Sequence, residues 1–148
     1  MYPGAMRGSV ERIAVSARES ELPAGVDEVE VSDRGVVGDR YGDAGDVTLI
    51  QAEALEGLRA DTGIELSHEE SRRQLLTRGI ELNDLVGKRF TVGSVELEGV
   101  ELCEPCNHLQ SLTQQGVLRG LVHRGGLRAD IVSGGRIAVG DEVSGGAG

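Results

Sequence analysis

The chain has 148 residues, the size of one domain with one core, and no stretch nears the roughly 20 apolar residues a membrane span needs. A formal charge of −10 and a near absence of aromatic side chains (one Phe, two Tyr, no Trp) argue against a nucleic-acid binder, which needs clustered cations and stacking platforms. The N-terminus lacks a basic-then-apolar leader pattern, so the sequence reads as a soluble, cytoplasmic protein.

In chain order, residues 9–15 (SVERIAV) and 26–31 (VDEVEV) alternate as strands do, separated by the Pro23–Gly25 turn signal. Residues 35–40 (GVVGDR) open a polar, glycine-rich loop that ends near Asp46. There Asp39 and Asp46 read as turn formers that bond their own backbone. The run Val47–Ile50 reads as a buried strand feeding a helix over 51–61, with Ala54, Leu55 and Leu58 on one face and Gly63 as its stop. Ser67 and Glu70 form a capping-box pair that predicts a brief second helix, on which His68 reads as solvated.

Residues 74–77 read as extended and 82–86 as one helical turn ended by Gly87. Residues 89–92 and 95–100 form a hairpin turning at Gly93-Ser94. Residues 107–122 are expected to be helical in part. Two closing strands, 127–132 and 136–139, would be joined by a Gly134-Gly135 turn, Asp141 reads as a turn device, and the last five or so residues as frayed. Short, turn-linked strands favour a mainly β fold: an antiparallel β-barrel with a few short accessory helices, rather than a βαβ sheet.

Chemistry concentrates at Cys103-Glu104-Pro105-Cys106, because thiolates are soft metal ligands and nucleophiles. Three readings compete. Cys103, Cys106, His108 and His123 could make a structural zinc site, although the second paired half of such a site is missing. The pair could be a thioredoxin-like dithiol, although the βαβ context is missing. Or one cysteine is used and the other packs as a small hydrophobe. Basic side chains cluster at Arg72, Arg73 and Arg78 and again at Arg119, His123, Arg124 and Arg128, supplying local cations for an anionic ligand. Gly125-Gly126 could bring backbone donors close to a phosphate.

The ordered set GxxGDR, VTLI before a helix, RRQLLTRGI-x-LNDLVGKRF, LCEPCNHL, LVHRGG and GGRIAVGDEV resembles the MOSC family, the C-terminal domain type of molybdenum-cofactor sulfurases. The likeness covers about residues 8–143, so one MOSC domain is expected over 1–148. It implies a MOSC-type barrel, the molybdenum cofactor (Mo-molybdopterin), and Cys106, in its Pro-Cys context, as molybdenum ligand or persulfide carrier. Cys103 stands second as a metal ligand. The family's Arg-Asn pair falls on Arg73-Gln74, and its GDR-His pattern reads Arg40-Tyr41 here, which puts Gln74 and Tyr41 in doubt as contacts. The expected cofactor-binding set is Arg73, Arg40, Arg78, His123, Arg124, Gly125 and Gly126.

The resemblance points to an oxidoreductase acting on N-hydroxylated compounds and fed by a separate reductase, since no iron–sulfur, flavin or haem motif is present. The alternatives are a sulfur or cofactor carrier working with a cysteine desulfurase, and a zinc-stabilised interaction module. The only lysine, Lys88, lies at a turn-to-strand junction, so no pyridoxal phosphate is expected.

Overall fold

The computed structural model describes residues 6–16, 23–39, 45–103 and 125–145. Its strands are β1 (Met6–Val15), β2 (Ala24–Val26), β3 (Glu28–Ser32), β4 (Gly35–Val36), β5 (Asp46–Gln51), β6 (Leu75–Arg78), β7 (Arg89–Val92), β8 (Val95–Leu102), β9 (Leu127–Ser133), β10 (Gly135–Ala138) and β11 (Glu142–Gly145). Helices α1 (Ala52–Thr62) and α2 (His68–Ser71) separate β5 from β6, and a 3₁₀ turn spans Leu82–Leu85. No helix among the described residues is long and apolar enough to cross a membrane.

Strands β11, β7, β8, β9, β5, β6 and β1 follow one another edge to edge, and pairing of β1 with β11 closes the ring. Closure removes the open edges that a sheet of this size would otherwise present. Strand β1 serves two neighbours on one side, pairing β11 through residues 6–9 and β2 through residues 13–15. A register shift between Val10 and Arg12 marks the bend that allows this. A second sheet, β10-β3-β4, packs on the barrel, and Val29, Val31 and Ile137 join Val10, Leu49, Leu75, Leu97 and Leu127 in one buried core.

The unbroken apolar run of β5 has a direct cause. Val47 and Leu49 face the barrel interior, whereas Ile50 faces outward and is buried with Leu76, Ala52 and Ala54 beneath α1. A strand covered on both faces does not alternate. The same cover explains a departure from the all-antiparallel expectation, because β5 and β6 pair in parallel, Leu49 beside Leu75, with α1 and α2 as the crossover. Helix α1 ends where predicted: Gly63 adopts φ 77° and donates its N–H to the Arg59 carbonyl. The capping box of α2 is present, Ser67 Oγ accepting from Glu70 N–H and Glu70 returning the bond to Ser67 N–H.

Several expectations need correction. The strand read over 26–31 breaks at Asp27 into β2 and β3, which enter different sheets. Gly134-Gly135 does not turn a hairpin: β9 stays in the barrel, and β10 crosses to pair with β3. Gly134 is required there because a Cβ would overlap the Val31 carbonyl. Strand β11 closes the barrel and takes in Ser144 and Gly145, the first two of the residues read as frayed, while 146–148 lie outside the described residues. Asp39 accepts from Ser16 N–H at 2.8 Å, a bond to a residue 23 positions earlier that the turn reading does not anticipate. Asp46 begins β5 and pairs with Arg128 across the β5–β9 ladder. Asp141 does act locally, accepting from Ala138 N–H. The helical expectation for 107–122 lies outside the described residues.

Candidate functional site

The site is built where β8 ends and β9 begins. Strand β8 runs two residues beyond its expected end, so that Leu102 pairs with Leu127 and Glu101 with Arg128. Cys103 follows directly, and its N–H donates to the Gly126 carbonyl at 2.7 Å. Cys103, the first residue of the Cys-Glu-Pro-Cys segment, is therefore held beside Gly126. Gly126 is fixed by sterics: its φ is 115°, and a Cβ would overlap the Leu49 carbonyl of β5. Only glycine lets the returning strand approach β5 this closely.

Arg73 closes the junction from a third side. It lies in the link between α2 and β6, held on one side by its own N–H donating to Ser71 Oγ at 3.3 Å. On the other side Gln74 is tied to β5: its N–H donates to the Thr48 carbonyl and hydroxyl, and its side-chain oxygen accepts from Thr48 N–H at 2.9 Å. From this anchored backbone Arg73 Nε donates to the Gly125 carbonyl at 2.8 Å and Nη2 to the Cys103 carbonyl at 3.4 Å. One guanidinium thus binds both Cys103 and Gly125, the described residues on either side of 104–124.

The electrostatics around the Cys103 sulfur are mixed. Burial pushes its thiol above the ordinary value, the Arg73 and Arg128 guanidiniums pull it down, and Asp46 and Glu101 push it up again. Arg128 is itself engaged by Asp46 at 3.2 Å, Asp130 at 3.5 Å and Glu101 at 3.7 Å. Of the two arginines near the sulfur, Arg73 is the one with no carboxylate partner among the described residues. Its two backbone contacts use the Nε edge of the fork, so three of its five N–H groups are uncommitted there.

A MOSC domain model matches residues 39–144, which spans the whole of this junction. The chain belongs to the MOSC family. Solved structures similar to this MOSC domain include the YUAD protein from Bacillus subtilis, at 14% identity and a TM-score of 0.84 over 98% of each chain. The YiiM protein from Escherichia coli is similar at 15% identity and a TM-score of 0.73, over 97% of this chain and 71% of that one. YiiM from Geobacillus stearothermophilus follows at 13% and 0.70, over 95% and 72%. At these identities the likeness shows the barrel fold. Comparison with curated protein sequences gives no match.

Within the MOSC domain, Arg73, Cys103, Gly125 and Gly126 of the expected set come together at the junction. Arg78 does not join them. It sits at the far end of β6, clasped by Glu11 and Glu56, so its charge is spent on carboxylates. Gln74 is a buried tie between β5 and β6 and not a surface contact. Cys106, Arg40, His123, Arg124, Tyr41 and His108 lie outside the described residues. Among those described, no group of three or more His, Cys, Asp or Glu side chains is placed to hold a metal ion.

His68 is buried and not solvated as its sequence context suggests. It is 3% exposed, and neither ring nitrogen has a hydrogen-bond partner among the described residues. Burial holds its pKa below the ordinary histidine value, against the smaller opposing influence of the Arg73 backbone. A four-residue helix gives no periodicity from which that inward face is legible. The sequence shows Arg128 only as a member of a basic cluster, because its cross-strand partner Asp46 lies too far away in sequence for spacing to show the pairing.

Proposed function

We propose that this MOSC domain binds the molybdenum–pterin cofactor at the β8–β9 junction, with the Cys106 thiolate as the metal's protein ligand. The observation carrying the reading is the Arg73 bridge between Cys103 and Gly125, which sets an incompletely neutralised guanidinium at the root of the Cys-Glu-Pro-Cys segment. Three residue steps, about 10 Å at full stretch, lead from Cys103 to Cys106.

The donor chemistry fits the group. A molybdenum–dithiolene centre favours a soft sulfur ligand, and a pterin phosphate favours a guanidinium with N–H groups to spare. Arg73 would face the anion with its uncommitted edge, and the basic residues Arg124 and His123, two positions or fewer before Gly125, would add to that charge. Cys103, its thiol pushed up by burial, serves as packing at the root and not as the ligand. When bound, the cofactor supplies oxygen-atom transfer, here proposed on N-hydroxylated compounds, with electrons from a separate reductase.

The test is metal and pterin content of protein purified from a cofactor-producing host. Wild type and Cys103→Ser should carry molybdenum and pterin in near-equal amounts, and Cys106→Ser should lose most of both. Wild-type protein without molybdenum, gaining one sulfur at Cys106 after incubation with a cysteine desulfurase, would replace this reading with the sulfur-carrier one. Stoichiometric zinc whose removal unfolds the protein would replace it with the interaction module.

A further inference from the structure

We propose that Arg73 is a positioning residue: its guanidinium clamps the Cys103 carbonyl to the Gly125 carbonyl, and so sets the placement of the backbone that carries the Cys103 thiol. The functional weight of the clamp rests on the cofactor reading above, whereas the clamp itself stands on the described residues alone.

Three bonds meet at the junction, and Arg73 makes two of them. Cys103 N–H donates to Gly126, while Arg73 Nε and Nη2 reach the Gly125 and Cys103 carbonyls. Nε and Nη2 form one edge of the planar fork, so both carbonyls are held by one rigid group. A lysine ammonium on a flexible stem does not reproduce this geometry. The clamp is anchored from behind. Ser71 Oγ accepts the Arg73 N–H and donates its own hydrogen to the His68 carbonyl, and Gln74 locks the following residue onto Thr48. The steric fit is close as well, since a Cβ on Gly126 would come within 3.4 Å of Arg73 Nε.

Position and charge are separable consequences. The fork fixes the carbonyls, and the positive charge lowers the Cys103 thiol pKa against the rise that burial imposes. Arg73→Lys keeps the charge and loses the fork, whereas Arg73→Met loses both. Both variants are made in full-length protein carrying Cys106→Ser, so that Cys103 is the only thiol.

Two readouts follow: amide hydrogen exchange at Cys103, referenced to core amides such as Leu97, and the pH profile of Cys103 alkylation by iodoacetamide. Arg73→Met should speed exchange at Cys103 about tenfold or more relative to the core and move the alkylation midpoint to higher pH. Arg73→Lys should speed exchange at least threefold and leave the midpoint near its starting value. Exchange within twofold of the parent in either folded variant overturns the clamp. If the Met variant does not fold, the Lys variant decides by the same threshold. An alkylation midpoint unchanged in Arg73→Met overturns the electrostatic half. Neither readout requires cofactor, so loss of the clamp is distinguishable from failure of the cofactor reading, which the molybdenum content of wild-type protein reports.

Discussion

Gly126→Ala tests whether the junction is as tightly built as the bonds around it imply. The new methyl group meets two penalties. With φ at 115°, the residue occupies a region that side-chain-bearing residues enter at a cost of about 1–3 kcal/mol. The methyl also overlaps the Leu49 carbonyl, which belongs to a central barrel strand paired on both sides, and forcing extra volume into such a place costs about 1–3 kcal/mol more. The expected loss is therefore about 2–6 kcal/mol, set against a total stability of about 5–15 kcal/mol for a domain. At this chain length each kcal/mol moves the melting temperature by about 2–4 °C, so the midpoint should fall by about 4–24 °C. Gly63→Ala is the control. It also has positive φ, 77°, but opens onto empty space, so only the backbone penalty applies, about 1 kcal/mol. Urea denaturation of both variants gives the comparison. Equal losses, or a loss below about 1 kcal/mol for Gly126→Ala, would refute the close approach of the returning strand to β5.

Two other predictions probe the surroundings. Gln74→Ala should cost about 1–3 kcal/mol, because Thr48 N–H is left without its acceptor in a part-buried setting, and thermal melts check this directly. His68 is held neutral by burial, so its folded pKa lies below the ordinary value of about 6.5. The unfolded chain then takes up the proton first. Stability is unaffected well above pH 6.5 and falls as pH drops through that value, by up to about 1.4 kcal/mol per pH unit, until the folded pKa is reached. His68→Leu should remove this component, so the loss between pH 8 and pH 5.5 in denaturant melts should be smaller than in wild type. Parallel curves would contradict the assignment.

Much of the barrel was legible from local chemistry. The run Val47–Ile50, the Gly63 stop, the Ser67/Glu70 box and the Gly93-Ser94 turn are decided by residues within a few positions of one another, and the structure agrees with each. Misreadings came where a distant partner decides. Gly134-Gly135 has the composition of a hairpin turn, yet its glycines serve a crossing against Val31, about a hundred residues earlier. The parallel pairing of β5 with β6 depends on how α1 and α2 pack on the barrel. Asp46 resembles a turn former until Arg128 of β9 is brought beside it.

The candidate site divides in the same way. The thiol pair and the arginine were visible as residue types suited to a soft metal and an anion, and the order of motifs gave the family. What no spacing rule conveys is that Arg73 reaches carbonyls 30 and 52 positions away, or that Arg78, five residues further on, is consumed by Glu11 and Glu56. Both facts follow from the side on which β6 enters the barrel. The two arginines lie at opposite ends of that strand, one near the thiol and the other against β1 and α1.

The proposed role of Cys106 is tested most directly by X-ray absorption at the molybdenum edge on protein purified from a cofactor-producing host. The sulfur ligands per molybdenum in wild type are counted against those per molybdenum in the fraction that Cys106→Ser retains. One sulfur fewer in the variant, with Cys103→Ser unchanged from wild type, is the predicted result; identical sulfur counts in all three proteins would contradict it.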